Sequence, residues 1–134
     1  SVLASNGIYK ELRLFKDIEN LPIAKERRIL SERTTSLVNS MLERTVNSKT
    51  GTGKKAKIKG ILVAGKTGTS IKIKDNITTY SNIFAGYAPS KNPKLVAIIA
   101  LHGLKGKKAS GSLTAAPVFS RLVEQSLHIL ESGT

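Results

Sequence analysis

Three apolar, β-branched segments follow one another with little chain between them: Ile61 to Thr69, Tyr80 to Ala88 and Lys94 to His102. Asp75-Asn76 and Pro89-Ser-Lys-Asn-Pro93 separate them, and both are turn-forming sequences. A parallel neighbour needs a crossover of a dozen or more residues, usually helical, so the spacing predicts antiparallel pairing. A sheet built this way must bury one face, and the chain supplies a cover. Ala116, Phe119, Leu122, Val123, Leu127 and Leu130 recur at helical spacing between Thr114 and Leu130, with Pro117 tolerated in the first turn.

Upstream, Ser31 is a candidate N-cap for a helix running to about Asn47, with Glu32 near its positive end. Leu37, Val38, Met41, Leu42 and Val46 fall on one face of that helix. Ser1 to Gly7 reads as the end of a helix stopped by Asn6-Gly7, and Ile8 to Ile18 as a short strand or extended segment before Pro22. The lysine-rich stretch from Ser48 to Gly60 reads as a mobile loop. The order is helix, helix, three strands, helix, without an internal repeat. The 134 residues, 40% hydrophobic and 23% charged, suffice for one structural unit with a core.

Basic residues outnumber acidic ones by 22 to 9, giving a formal net charge of +13. Such a balance raises the question of a polyanion. The lysines cluster in two Gly-rich segments, five from Lys49 to Lys59 and three from Lys105 to Lys108. The few aromatic residues do not alternate with them as a base-stacking surface would require. Nucleic acid is therefore not an expected partner. There is no cysteine, so no disulfide, and the longest apolar run, Leu95 to Leu101, is far below the roughly 20 residues that span a bilayer.

The stretch GILVAGKTGTS, Gly60 to Ser70, satisfies the phosphate-loop pattern G-x-x-x-x-G-K-[ST]. A phosphate loop needs a flexible turn before the lysine and a helix after it. Here Ile61 to Ala64 are residues that extend a buried strand, and Gly68-Thr-Ser-Ile-Lys-Ile-Lys74 alternates with period two, so no helix follows. Lys66 lies instead on a strand, between Gly65 and Gly68. Glycine weakens a strand unless another group must approach its backbone. Alternation places Thr67 and Thr69 on one side and Lys66 with Gly68 on the other, an arrangement suited to gripping an extended peptide that ends in a carboxylate.

Val63-Ala-Gly-Lys-Thr-Gly-Thr69, Phe84-Ala-Gly-Tyr-Ala-Pro89, Leu95-Val-Ala-Ile-Ile99 and Ala115-Ala-Pro-Val-Phe119, in this order, resemble the C-terminal half of the transpeptidase domain of class B, high-molecular-mass penicillin-binding proteins. Asn6-Gly7 and Thr50-Gly-Thr-Gly53 sit where that family has a helix end and a Gly-Thr-Gly loop, so the resemblance spans the whole chain, residues 1–134. It implies an α+β fold, part of the penicillin-binding/serine β-lactamase-like architecture, with antiparallel strands covered by helices. It also implies a serine D,D-transpeptidase that cross-links peptidoglycan stem peptides ending in D-Ala-D-Ala and is acylated by β-lactams, with no cofactor. Lys66 would raise the positive potential of the cleft, Thr67 and Thr69 would bind the donor's carboxylate, and Gly68 would leave room for the nucleophile's helix. The Thr69 N–H would be one oxyanion donor. The implied location is the cell envelope, at the periplasmic face of the inner membrane, among the cell-wall synthesis machinery of division or elongation.

No serine here has a lysine three residues on, so the Ser-x-x-Lys nucleophile motif is missing. Ser90-Lys-Asn92 satisfies Ser-x-Asn but follows Lys-Thr-Gly, whereas the family places that motif before it, and it reads as a turn. Both partner motifs are expected from a missing N-terminal half, and the chain alone is expected to be inactive. His102 and His128 are solitary, as are Asp75 and Glu124, so neither a metal site nor paired-carboxylate chemistry is expected. The alternatives are a basic polyanion-binding module and a β-lactamase-type hydrolase fragment.

Overall fold

The computed structural model describes residues 1–12, 25–105 and 110–133. Ser1 to Gly7 makes a helical turn closed by the Ser5 N–H on the Ser1 carbonyl, and Asn6 and Gly7 leave it at φ 50° and 84°. Strand β1 (Ile8–Lys10) then pairs antiparallel with β2 (Glu26–Arg28). The part of the expected extended segment beyond Leu12 lies outside the described residues.

Helix α1 (Glu32–Asn47) is capped as expected: Ser31 Oγ accepts from the Thr34 N–H at 3.1 Å. Its buried side matches the apolar stripe read from the sequence only in part. Val46 is buried and Val38 and Leu42 are half-buried, but Leu37 and Met41 are 55% and 63% exposed and Thr35 is buried in their stead. The reason is docking through polar groups at the C-terminal end of the helix. Thr45 Oγ1 donates to the Gly65 carbonyl, and Asn47 Nδ2 donates to the Val63 carbonyl at 3.0 Å.

The lysine-rich segment is not the free loop the sequence suggested. Gly53 N–H bonds to the Thr45 carbonyl at 2.8 Å, a 3₁₀ turn forms over Lys54–Ala56, and Ala56 and Ile58 enter the core. The lysines stay exposed because each can lay its stem along the surface while its small or apolar neighbours pack inward.

Strands β3 (Ala64–Lys74), β4 (Ile77–Ala88) and β5 (Leu95–Leu104) form a meander in the order β3-β4-β5, all antiparallel. The first strand begins three residues later than expected, since Gly60 turns at φ 79° and Ile61 bridges back to Ile58. It also runs further, because Asp75 and Asn76, at φ 50° and 60°, make a two-residue turn that keeps Lys74 opposite Ile77.

Helix α2 (Ala115–Ser132) covers one face of the sheet. Ala115, Ala116, Phe119, Val123 and Leu127 are buried there with Phe84, Val46, Val63, Ala56 and Ile58. The Phe84 and Phe119 rings meet at 4.7 Å with a 55° tilt. Leu122 and Leu130, expected in this stripe, sit at its margins about half exposed. The other face of β4 and β5 stands open, with Val96 49% and Ile98 68% exposed.

Candidate functional site

The edge strand β3 owes its approach to the core to Gly65. It sits opposite Gly86, and the Phe84 ring lies over the pair: a Cβ on Gly65 would be 2.6 Å from Phe84 Cζ. Two glycines thus let a large ring pack flat beneath the start of the Lys-Thr-Gly sequence. Next along the strand, Lys66 faces Ala85 and Gly68 faces Ile83 on the open side of the sheet. Thr67 faces Phe84 and Thr69 faces Asn82 on the α2 side. The alternation read from the sequence holds, so lysine and threonines bracket the edge from opposite faces.

The backbone shows which groups face outward. The Val63, Gly65 and Thr67 carbonyls take bonds from Asn47, Thr45 and Lys66 Nζ, the last at 2.9 Å, and none of these donors belongs to β4. Residues two apart present their polar groups to the same side, so the Thr69 N–H and carbonyl lie on this outer edge too. Gly68 and Thr69 are exposed and Thr67 is half-buried. A Cβ on Gly68 would meet nothing nearer than Ile83 Cβ at 3.8 Å, so no described group forces a glycine there.

Thr69 has a partner that the sequence reading missed. The Gly111 N–H donates to Thr69 Oγ1 at 3.3 Å, from the turn that precedes α2. A Cβ on Gly111 would come within 2.8 Å of the Ile83 carbonyl oxygen and 2.9 Å of that of Gly68. The turn therefore lies directly on the sheet, and Ser110-Gly-Ser112 was the available signal for it.

Lys66 and the open face share a hollow of about 490 Å³ lined by Val2, Leu3, Leu42, Ala85, Tyr87 and Ile98, among others. Tyr87, in its lining, donates from Oη to Asn39 Oδ1; Asn39, Glu43 and Ser90 line a neighbouring hollow, where Ser90 Oγ donates to Glu43 Oε1 at 2.6 Å. Burial, with the Glu43 carboxylate adding to it, pushes the Tyr87 phenol up to about 12. Ser90 is buried and its proton is committed to Glu43, which agrees with its reading as a turn residue. His102 Nδ1 lies 2.9 Å from Ser81 Oγ, and among the described residues no three His, Cys, Asp or Glu side chains gather at metal-binding distance.

A family model described as the penicillin binding protein transpeptidase domain matches residues 1–124. Among curated relatives, "Stage V sporulation protein D" of Bacillus subtilis is 38% identical over 109 residues, covering 79% of this chain and 16% of that protein. "Peptidoglycan D,D-transpeptidase FtsI" of Buchnera aphidicola subsp. Schizaphis graminum is 36% identical over 127 residues, covering 92% of this chain and 22% of that protein. The chain thus spans about a fifth of the length of these relatives. The solved transpeptidase domain of Burkholderia pseudomallei penicillin-binding protein 3 superposes with a TM-score of 0.79 at 31% identity, covering 96% of this chain and 39% of that one. The meander under α2, the glycine-backed edge strand and the family match over nearly the whole chain converge, and the protein belongs to the penicillin-binding protein transpeptidase domain family.

Proposed function

We propose that these 134 residues form the substrate-gripping portion of a peptidoglycan D,D-transpeptidase. The observation that carries this reading is the outward edge of β3, where Lys66, Thr67 and Thr69 bracket backbone that β4 leaves unpaired. A D-Ala-D-Ala stem laid along that edge would add a strand through main-chain hydrogen bonds. The Thr67 and Thr69 hydroxyls would take its terminal carboxylate, with Lys66 supplying positive potential. The open space over Gly68 supports the approach of a further segment, since glycine is otherwise unexplained at that point.

The nucleophile comes from outside these residues, because no Ser-x-x-Lys occurs among them. Its serine oxygen would attack the penultimate D-Ala carbonyl while the Thr69 N–H stabilises the oxyanion, an interaction of about 3 kcal/mol in other acyl-transfer enzymes. The peptide C–N bond then breaks, the serine's proton passes to the leaving D-alanine amine, and an ester remains. The amine of a second stem attacks that ester and returns a proton to the serine oxygen. A β-lactam would open on the same serine, but its nitrogen stays tethered and blocks the acceptor.

The hollow and the exposed Val96 and Ile98 fit a surface that the rest of the same protein covers. The place of action is the cell envelope, at the periplasmic face of the inner membrane, in the company of cell-wall synthesis proteins. Among the described residues no helix is long and apolar enough to cross a membrane.

The test uses the full-length product of the gene and a fluorescent penicillin. Lys66→Ala and Thr67→Val are each expected to lower the acylation rate at least about 100-fold, on the scale of losing a charge-assisted hydrogen bond that also orients the substrate. The thermal transition should stay in place, since both side chains point off the sheet. Unchanged acylation in both variants refutes the reading.

A further inference from the structure

We propose that Asn82 is a positioning residue for the donor carboxylate: through Thr114 and the turn before α2 it holds the Gly111 N–H on Thr69 Oγ1 and so directs the Thr69 proton outward. The proposal rests on the reading of Thr69 as a carboxylate ligand.

Asn82 is fully buried in β4, directly opposite Thr69 and flanked along the same face by Tyr80 and Phe84. A buried amide in such a place is costly unless its bonds accomplish something. Its Nδ2 donates to Thr114 Oγ1 at 3.0 Å, and Thr114 Oγ1 donates its one proton to the Ser110 carbonyl at 2.8 Å. The threonine oxygen can therefore only accept from Asn82, which fixes the amide with its NH₂ toward Thr114. The Asn82 Oδ1 has no hydrogen-bond partner among the described residues. An apolar side chain of similar shape would fill the same space without that penalty, so packing alone does not account for asparagine here.

What the amide does is fasten the turn. Ser110 also accepts from the Leu113 and Thr114 N–H groups at 3.0 and 3.1 Å, and Gly111 accepts from the Ala116 N–H at 2.9 Å. The turn is thus tied to α2 at one end and, through Asn82 and Thr114, to β4 at the other. Between these ties Gly111 lies on the backbone of β3 and β4, close to the Gly68 and Ile83 carbonyls, where only glycine fits. Its N–H meets Thr69 Oγ1 at 3.3 Å. A hydroxyl has one proton and two lone pairs, so a Thr69 oxygen that accepts from Gly111 keeps its proton for an external acceptor. Accepting one bond also polarises the hydroxyl as a donor in the other. A carboxylate on the outer edge is the acceptor that gains most from this arrangement.

The experiment compares acylation of the full-length protein by a penicillin and by the methyl ester of the same penicillin, which keeps the reactive ring but lacks the carboxylate. The ratio of the two rates is read on whatever fraction of protein is folded, so a loss of stability alone does not move it. Asn82→Leu and Thr114→Val are expected to lower the acid-to-ester ratio by about five- to tenfold, the size of one ordinary hydrogen bond. Thr114→Ser, which keeps the hydroxyl, should restore the wild-type ratio. Parallel losses with both probes, leaving the ratio unchanged, would reduce Asn82 to a structural residue and overturn the proposal. A Thr69→Val ratio equal to that of the wild type would show instead that Thr69 does not hold the carboxylate, and the underlying reading would fall with it.

Discussion

A single methyl group at Gly65 probes the packing that lets the candidate site exist. A Cβ there would lie 2.6 Å from Phe84 Cζ, 2.8 Å from Cε1 and 2.9 Å from the Ala85 carbonyl oxygen. Carbon atoms in contact sit about 3.5–4 Å apart, so the ring must retreat by roughly 1 Å. It has little room, because Phe119 packs on it at 4.7 Å and the Phe84 side chain is fully buried. Overpacking of a tight core costs about 1–3 kcal/mol. Full expulsion of the ring would approach the about 3–5 kcal/mol of a Phe→Ala truncation. Gly65→Ala is therefore expected to destabilise the domain by about 2–4 kcal/mol, measured from the urea transition of the full-length protein. Phe84→Leu removes the ring tip that the methyl strikes, so the double variant should be more stable than the sum of the two losses by at least about 1 kcal/mol. Additivity within about 0.5 kcal/mol would refute the steric argument, as would a neutral Gly65→Ala.

Tyr87, pushed up to about 12, keeps its proton in the folded state at pH values where the unfolded phenol, near its ordinary 10, has lost it. Its contribution to stability is complete below about pH 10 and is lost as pH rises through 12; Tyr87→Phe should flatten that decline, and an ultraviolet titration should show one late-ionising tyrosine. Ser31→Ala removes the bond to the Thr34 N–H and is expected to cost about 1 kcal/mol by chemical denaturation, whereas Ser31→Asp should be nearly neutral. Asn76→Gly, at φ 60° in the two-residue turn, should leave stability unchanged or raise it by up to about 1 kcal/mol.

The meander was legible because short turns between β-branched segments leave few ways to connect strands, and α2 because its stripe has one sheet to cover. The alternation of Lys66 against Thr67 and Thr69 was legible for the same reason, since a strand has a fixed period. Other features depend on contacts between distant residues. Thr45 and Asn47 look like ordinary helix residues, yet they dock α1 by bonding carbonyls on the β3 edge, which rotates Leu37 and Met41 outward. The lysines around Ala56 and Ile58 hide two core residues in what reads as a solvated loop. Gly111 gave only a turn signal, and its contact with Thr69 spans 42 positions that no local pattern connects.

Edge strands invite unwanted pairing, and chains normally blunt them along their length. In β3 the blunting has a pattern. From Val63 to Gly65 the outer carbonyls are occupied by α1, and the Thr67 carbonyl is covered by the strand's own lysine. Beyond Ser70 the strand carries Lys72 and Lys74, both exposed, which oppose addition of another chain by charge. The stretch between these two protections holds Gly68, without a side chain, and Thr69, whose hydroxyl is oriented by Gly111 from the covered face. Charge that repels a cationic strand attracts one that ends in a carboxylate, so the same lysines that guard the edge would favour an anionic peptide end. Protection on both sides of a short gap would admit one extended segment in one register, which is the selectivity that acyl transfer to a fixed serine would require under the proposed function.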